Sequence, residues 1–231
     1  MRRVDLDLIY VMKELFSDTD RVRIREAVAQ AEKRTSGEIV PYIVPQSSRY
    51  DVAIWRGAAL GVILVLFVVM LLLQVYQGWS LSWLYSSWSL AVLVLAAGTL
   101  GAFTTAFVAP LKRLLSGNAL LDREVHRRAM MAFVEEEIFS TRERTGILLF
   151  ISLLEHRIEV VGDTGINQKV TPDEWTDVVV RLRQGIKAGK LADGLVAAIE
   201  MCGELLERVG VEIRPDDINE LSDDVRFGND E

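Results

Sequence analysis

Between Gly57 and Leu111 the chain carries no Asp, Glu, Lys, Arg or His. No other feature restricts its fold so strongly. The stretch reads as two apolar halves, GAALGVILVLFVVMLLLQVYQ and SLAVLVLAAGTLGAFTTAFVAPL, around a polar, aromatic interruption, GWSLSWLYSSW. A bilayer core of roughly 30 Å is crossed by about 20 apolar residues in a helix, and each half is that long. A soluble core helix keeps a polar face, whereas Val62–Leu73 is apolar on every side. The pattern predicts a two-helix transmembrane hairpin over 55–110, with spans at about 55–76 and 86–108.

The flanks give the hairpin a direction. Lys33, Arg34, Arg49 and Arg56 precede it, and Lys112, Arg113, Arg123, Arg127 and Arg128 follow it, while the intervening loop has no basic residue. The positive-inside bias then predicts a multi-pass membrane protein with both termini cytoplasmic. Trp79, Trp83, Tyr85 and Trp88 crowd the outer turn and Trp55 the inner entry, where amphipathic rings sit at headgroup level. Gly98, Gly101 and Ala102 form a small-residue face for close helix approach. Spans without ionisable groups speak against an ion or proton pathway. A net charge of −7 speaks against nucleic acid as a partner. The single cysteine, Cys202, forms no internal disulfide, in keeping with a reducing compartment.

Residues 1–54 are expected to supply N-terminal helices and a first strand. MRRVDLDLIYVMKELF lacks the apolar core of a signal peptide and reads as a short amphipathic helix. Ser17–Asp20 offers N-cap oxygens, and Ile24, Ala27, Val28 and Ala31 follow as an apolar helical stripe that Gly37 closes. Glu38–Val44 reads as a strand, at an edge or locally irregular because Pro41 has no N–H to donate. The domain resumes over 111–212 with a helix at Ala119–Phe139, in which Glu124 reaches Arg127 and Arg128. Ile147–Leu154 then reads as a central strand and Arg157–Val161 as its alternating neighbour. After a Gly162–Gly165 loop, Thr171-Pro172-Asp173-Glu174 opens a helix as a capping box, with Trp175, Val178, Val179, Leu182 and Ile186 on its apolar side. A last amphipathic helix runs from Leu191 to Val209, and 213–231 reads as a loose acidic tail. The fold class is α/β: a small mixed sheet in an αβα sandwich, interrupted by the hairpin.

Several of these features together resemble the TPM domain family, which includes thylakoid-lumen phosphatase-like proteins and membrane-anchored bacterial members. The shared features are Gly146 opening an apolar strand, the Arg157–Val161 strand, the Gly162…Gly165 loop before a capped helix, and the Gly189–Gly194 step into the last helix. Leu15 to Val44 resembles the family's opening helix, TSGEI corner and first strand. The resemblance implies an αβα sandwich and, in some members, acid phosphatase activity or Ca²⁺ held by loop carboxylates. The family's Asp-Asn-Gly before the central strand is Arg144-Thr145-Gly146 here, and its acidic residue after the glycine loop is Asn167. A guanidinium therefore stands where a cation would sit, although Ca²⁺ wants several oxygen ligands.

Other constellations carry less. Asp163-Thr164-Gly165 spells the aspartic-protease triplet, but that chemistry needs two carboxylates on a β-rich scaffold, and an Asp-centred turn explains the same letters. His126 and His156 have no ligand partners at metal-site spacing, and Glu135–Glu137 reads as a solvated face. No Walker loop, dinucleotide fingerprint or nucleophile elbow is present. The expected function is a non-enzymatic binding or assembly and maintenance module for membrane protein complexes, with no catalytic residue and no cofactor. The alternative is a divergent metal-dependent acid phosphatase, with Asp163 and Glu159 as acid–base candidates and Glu143, Glu159 and Asp163 as ligands for Ca²⁺. Arg142 and Arg144 are candidate anion binders.

Overall fold

A computed structural model describes residues 15–75, 86–211 and 219–228. The chain divides into two compact units, one made of residues up to Ser48 and from Asp122 onward, the other of Arg49–Leu121. The expected helix near the N-terminus lies outside the described residues, as do Trp79, Trp83 and Tyr85 of the hairpin turn.

The first unit is built on a four-stranded sheet in the order β3-β2-β1-β4. Its strands are β1 (Glu38–Val44), β2 (Gly146–Ser152), β3 (Arg157–Gly162) and β4 (Arg226–Phe227). β1 pairs with β2 in parallel over its full length, β2 with β3 antiparallel, and β4 with β1 in parallel at Tyr42 and Ile43. The continuous apolar run of β2 marked it as central, and all seven of its residues are buried. β1 is equally buried and internal, not the edge strand that Pro41 suggested. The physical reason is its pairing phase. The Ile43 carbonyl accepts from the Gly228 N–H, so the odd-numbered residues of β1 turn their main-chain polar groups away from β2. Pro41 is one of them, and its missing N–H costs no bond to β2.

Alternate residues of the two central strands feed two cores. Ile39, Ile43, Ile147, Leu149 and Ile151 pack with Ile24 and Val28 of α1 (Asp18–Glu32), with Val178 and Leu182, and with Leu195, Ala198 and Ile199. Val40, Tyr42, Val44, Leu148 and Phe150 pack with Val125, Ala129, Ala132 and Phe133 of α5 (Asn118–Glu135). Helices on both faces of one mixed sheet make the αβα sandwich that was expected. α1 starts on the Ser17 cap, with Ser17 and Asp20 in a reciprocal box, and buries the Ile24, Ala27, Val28 and Ala31 stripe. It ends at Lys33 rather than at Gly37, which instead lies under Leu206.

α5 stops at Glu135, short of the expected Phe139, because Glu137 turns into the left-handed region before a 3₁₀ turn at Ile138–Ser140. Glu124 pairs with Arg127 at 3.0 Å, but Arg128 turns inward. There it donates to the Tyr42 hydroxyl at 3.1 Å and to Glu135 at 3.0 Å. α6 (Thr164–Asn167) is a single turn that begins inside the expected Gly162–Gly165 loop and runs beyond it. α7 (Pro172–Lys187) has the predicted Thr171–Glu174 box, with the Thr171 N–H donating to Glu174 at 2.8 Å. It buries Val178 and Leu182, while Ile186 is exposed and Trp175 half-buried, its indole N–H donating to Asn167. α8 (Leu191–Arg208) is the main core helix. The acidic tail is not loose over its described residues 219–228: it supplies β4, Phe227 meets Phe16, and Leu221 joins the α5-side core.

The second unit is a helical hairpin of α2 (Asp51–Val75), α3 (Ser87–Phe107) and the short α4 (Ala109–Ser116). The two long helices are apolar enough to cross a membrane by length and composition. Gly61 and Gly101 sit where they cross: a Cβ on Gly61 would land on the Ala97 carbonyl, and one on Gly101 on the Gly57 carbonyl. Gly101 was legible as part of a small-residue face, whereas its partners Gly57 and Gly61 were not.

Phe150 is fully buried and stacks on Tyr42 with centroids 5.9 Å apart. Phe150→Ala is expected to cost about 3–5 kcal/mol, read as a lowered unfolding midpoint of the full chain in detergent. Val180→Ala, on the exposed side of α7, should stay within about 0.5 kcal/mol of the parent. Equal effects from the two would contradict the packing described.

Candidate functional site

β2 begins at a tight corner that gathers most of the candidate residues. Thr141 ties the corner down, its hydroxyl accepting from the Thr145 N–H at 3.0 Å. Arg144 adopts a left-handed backbone (φ 60°), and its carbonyl accepts from the Gly165 N–H at 3.0 Å. Asp163, directly after β3, donates its N–H to the Gly146 carbonyl at 2.9 Å. Its side chain caps α6, with Oδ1 accepting from the Thr164 N–H at 2.6 Å. Two loops distant in sequence are thereby clamped together by main-chain bonds.

Across that clamp the Arg144 Nε lies 3.2 Å from Asp163 Oδ2. Asp163 is only 3 % exposed, so its charge is compensated by this guanidinium rather than by water. Arg144 is held in turn, donating to the Phe139 carbonyl at 2.9 Å and lying over the Phe139 ring. The other candidates do not join Asp163. Glu143 is exposed and meets Ser36 at 3.4 Å. Glu159 is bonded to His126 of α5, on the α5 side of β3. Arg142 presents its main-chain N–H to Glu220 at 3.0 Å. Among the described residues no group of three or more His, Cys, Asp and Glu is placed to hold a metal ion. A Ca²⁺ ion wants several oxygens and no cation beside it, and the corner offers one buried carboxylate already paired with arginine. The residues present do not fit that ion.

The structure also assembles a group that the sequence reading missed. Glu32, at the end of α1, accepts from the Ile39 N–H at 3.0 Å, and Glu38, opening β1, accepts from the Glu220 N–H at 3.0 Å. The second oxygen of each carboxylate is buried without a donor. Burial, followed by the nearby charges of Glu38 and Asp223, pushes the Glu32 carboxyl up to about 9. Burial raises Glu38 as well, with Glu220 and Asp223 acting in the same direction. Both carboxyls are thereby biased toward their neutral forms. Each letter alone reads as a surface glutamate; only the return of residues 219–228 over β1 buries the pair.

A carboxyl raised on folding stabilises the fold fully below its unfolded value of 4.5, and that contribution is lost as pH climbs to about 9. The unfolding midpoint of the full chain should therefore fall between pH 5 and pH 9. Glu32→Gln should flatten much of that fall and raise the midpoint at the alkaline end. An unchanged slope in the variant would contradict a protonated Glu32.

Comparison with known proteins agrees with this architecture. The model of the TPM domain family matches residues 113–205, which run from α4 to near the end of α8. The NMR structure of BA42 protein from the psychrophilic bacterium Bizionia argentinensis is similar, with a TM-score of 0.55 at 19 % identity over 92 % of this chain and 95 % of that chain. At that identity the likeness shows the fold alone. No curated protein matches. α1 and β1 precede the matched segment, but β1 pairs along the whole of β2 and so completes the same sheet. Over residues 113–205 the chain is similar to the TPM domain family.

Proposed function

We propose that this protein is a membrane-anchored TPM domain acting as a non-enzymatic binding or assembly module for membrane protein complexes, on the cytoplasmic face of the bacterial inner membrane. The observation that carries the reading is the Arg144–Asp163 pair, which occupies the loop corner where phosphoryl chemistry would need converging, uncompensated carboxylates. Fold alone decides nothing here, since one scaffold serves many tasks.

Anchoring is supported by the hairpin. Its helices have mean hydropathies of 2.9 and 2.0 over windows only 6 % buried, whereas a soluble core helix would be covered. Because β1 and β2 pair across the interruption, a hairpin that crosses the membrane must enter and leave on the same side. The basic flanks support a cytoplasmic location for that side and for both termini. A tethered domain needs no tight interface, because confinement near a membrane partner raises its effective concentration.

Two measurements test this. Crosslinking in membranes followed by purification in mild detergent should recover defined membrane protein partners with the wild-type chain; recovery of none would contradict the module. Incubating the full chain in micelles with a generic phosphate ester and Ca²⁺ or Mg²⁺ should give turnover no greater than Asp163→Asn gives. Metal-dependent turnover abolished by Asp163→Asn would instead establish the phosphatase.

A further inference from the structure

Val44, Ser152 and Arg157 are paired across the sheet and mark one of its ends, with Glu38, Gly146 and Gly162 toward the other. Both chain connections to the hairpin lie at the Val44 end. β1 leaves through Val44, and the unit resumes at Asp122, whose carboxylate is 2.7 Å from Arg157. α7 runs toward the same end. Its Trp175 adjoins Gly162, where an added Cβ would lie 3.0 Å from the indole, and its Gly185 meets Gly194 of α8. Next to that contact Asp193 pairs with Arg23 at 2.7 Å. Arg23 precedes Glu32, which bonds Ile39 at the Glu38 end, by more than two helical turns.

The half of α7 that reaches this end is cationic. From Val178 to Lys190 the chain has no Asp or Glu, whereas Arg181, Arg183, Lys187 and Lys190 are all exposed. Among the described residues none of the four has a carboxylate partner. The acids of α7 itself, Asp173, Glu174 and Asp177, stand in its other half. Nearby acids are already met: Asp193 by Arg23, Asp122 by Arg157, and Glu155 by Ser47 and Ser152 in the interior. Asp18 and Asp20 open α1, which packs on α8. Arg183 and Lys187, four residues apart, share one stripe, with Val180 and Ile186 exposed on either side of it. One cation in the last turn would answer the helix dipole, and four exceed that need. Cations flanked by exposed apolar side chains suit a headgroup layer.

We infer that this end of the domain makes a second membrane contact, with Arg183, Lys187 and Lys190 resting on the anionic headgroup surface of the leaflet from which the hairpin enters. An acidic protein segment would answer the same charges. The place of the patch, at the end holding both chain connections, favours lipid, and basic residues this close to a leaflet are drawn to acidic headgroups.

The inference rests on the proposed anchoring. The full chain with Gln184→Cys carries a fluorophore at 184, beside the stripe; Cys202 is fully buried and stays unlabelled. It is placed in nanodiscs of phosphatidylcholine, with or without phosphatidylglycerol, that contain a lipid bearing a nitroxide on its headgroup. Quenching at 184 should be several-fold stronger with phosphatidylglycerol and should fade in about 0.5 M sodium chloride. A label at Asp173→Cys, on the first turn of α7, should be quenched in neither disc. Adding Arg183→Gln/Lys187→Gln/Lys190→Gln should remove the excess quenching at 184. Equal quenching in the two discs, which needs no charge variant to read, would overturn the contact, as would excess quenching that survives the triple substitution. An unquenched label at 184 that instead crosslinks to a protein in native membranes would assign the patch to an acidic protein and overturn the lipid contact. A chain that fails to enter the discs overturns the anchoring itself; one that enters them with 184 unquenched overturns this contact alone.

Discussion

The parallel pairing of Glu38–Val44 with Gly146–Ser152 is the contact on which the rest of the molecule depends. It joins a strand made before the apolar hairpin to one made after it. Loop closure over so long an interruption is entropically costly but grows only slowly with length. Seven fully buried residues on each strand, covered by helices on both faces, outweigh it. Once that pair exists, α1 and α8 share a core, β3 folds back on β2, and the described tail residues can add β4 to the remaining edge of β1. An uncovered β1 edge would be a template for pairing with other chains, so β4 also protects the sheet.

The same burial creates the electrostatic problems the domain solves locally. Arg128 is only 4 % exposed and is met by Tyr42 and Glu135. Asp163 is met by Arg144. Glu32 and Glu38 lie near each other and near Asp223, and burial holds both carboxyls above their ordinary range. The last arrangement differs in kind from the other two. An arginine pair withstands any physiological pH, whereas carboxyls raised by burial tie the seating of residues 219–228 to pH through the Glu38–Glu220 bond.

Much of this was legible because it is local. The Ser17 and Thr171 caps, the α1 stripe, the unbroken apolar run of β2 and the charge-free hairpin each follow from neighbouring residues. The errors share a cause, namely that the deciding partner lies elsewhere in the chain. Pro41 looked like an edge residue, but which side of a strand carries the ladder is set by the neighbour's register. Glu124 was assigned two arginines by helical spacing, yet one of them is drawn under the sheet by Tyr42. β4 has no strand-like pattern, since two residues beside an open edge need none. For the site, the replacement of a carboxylate by Arg144 was readable, and its ion pair with Asp163 follows that reading. The scattering of Glu143 and Glu159 away from Asp163 was not readable, because it depends on which face of β3 meets α5.

The proposed anchoring requires two chain segments separated by a membrane-crossing hairpin to close into one domain on one side of the bilayer. It is tested most directly by single cysteines at Arg49, Ser87 and Arg123 in a Cys202→Ala background, probed in sealed vesicles with a membrane-impermeant maleimide. Positions 49 and 123 should label from the cytoplasmic side and position 87 from the opposite side. Labelling of 49 and 123 from opposite sides, or of all three from one side, would contradict it.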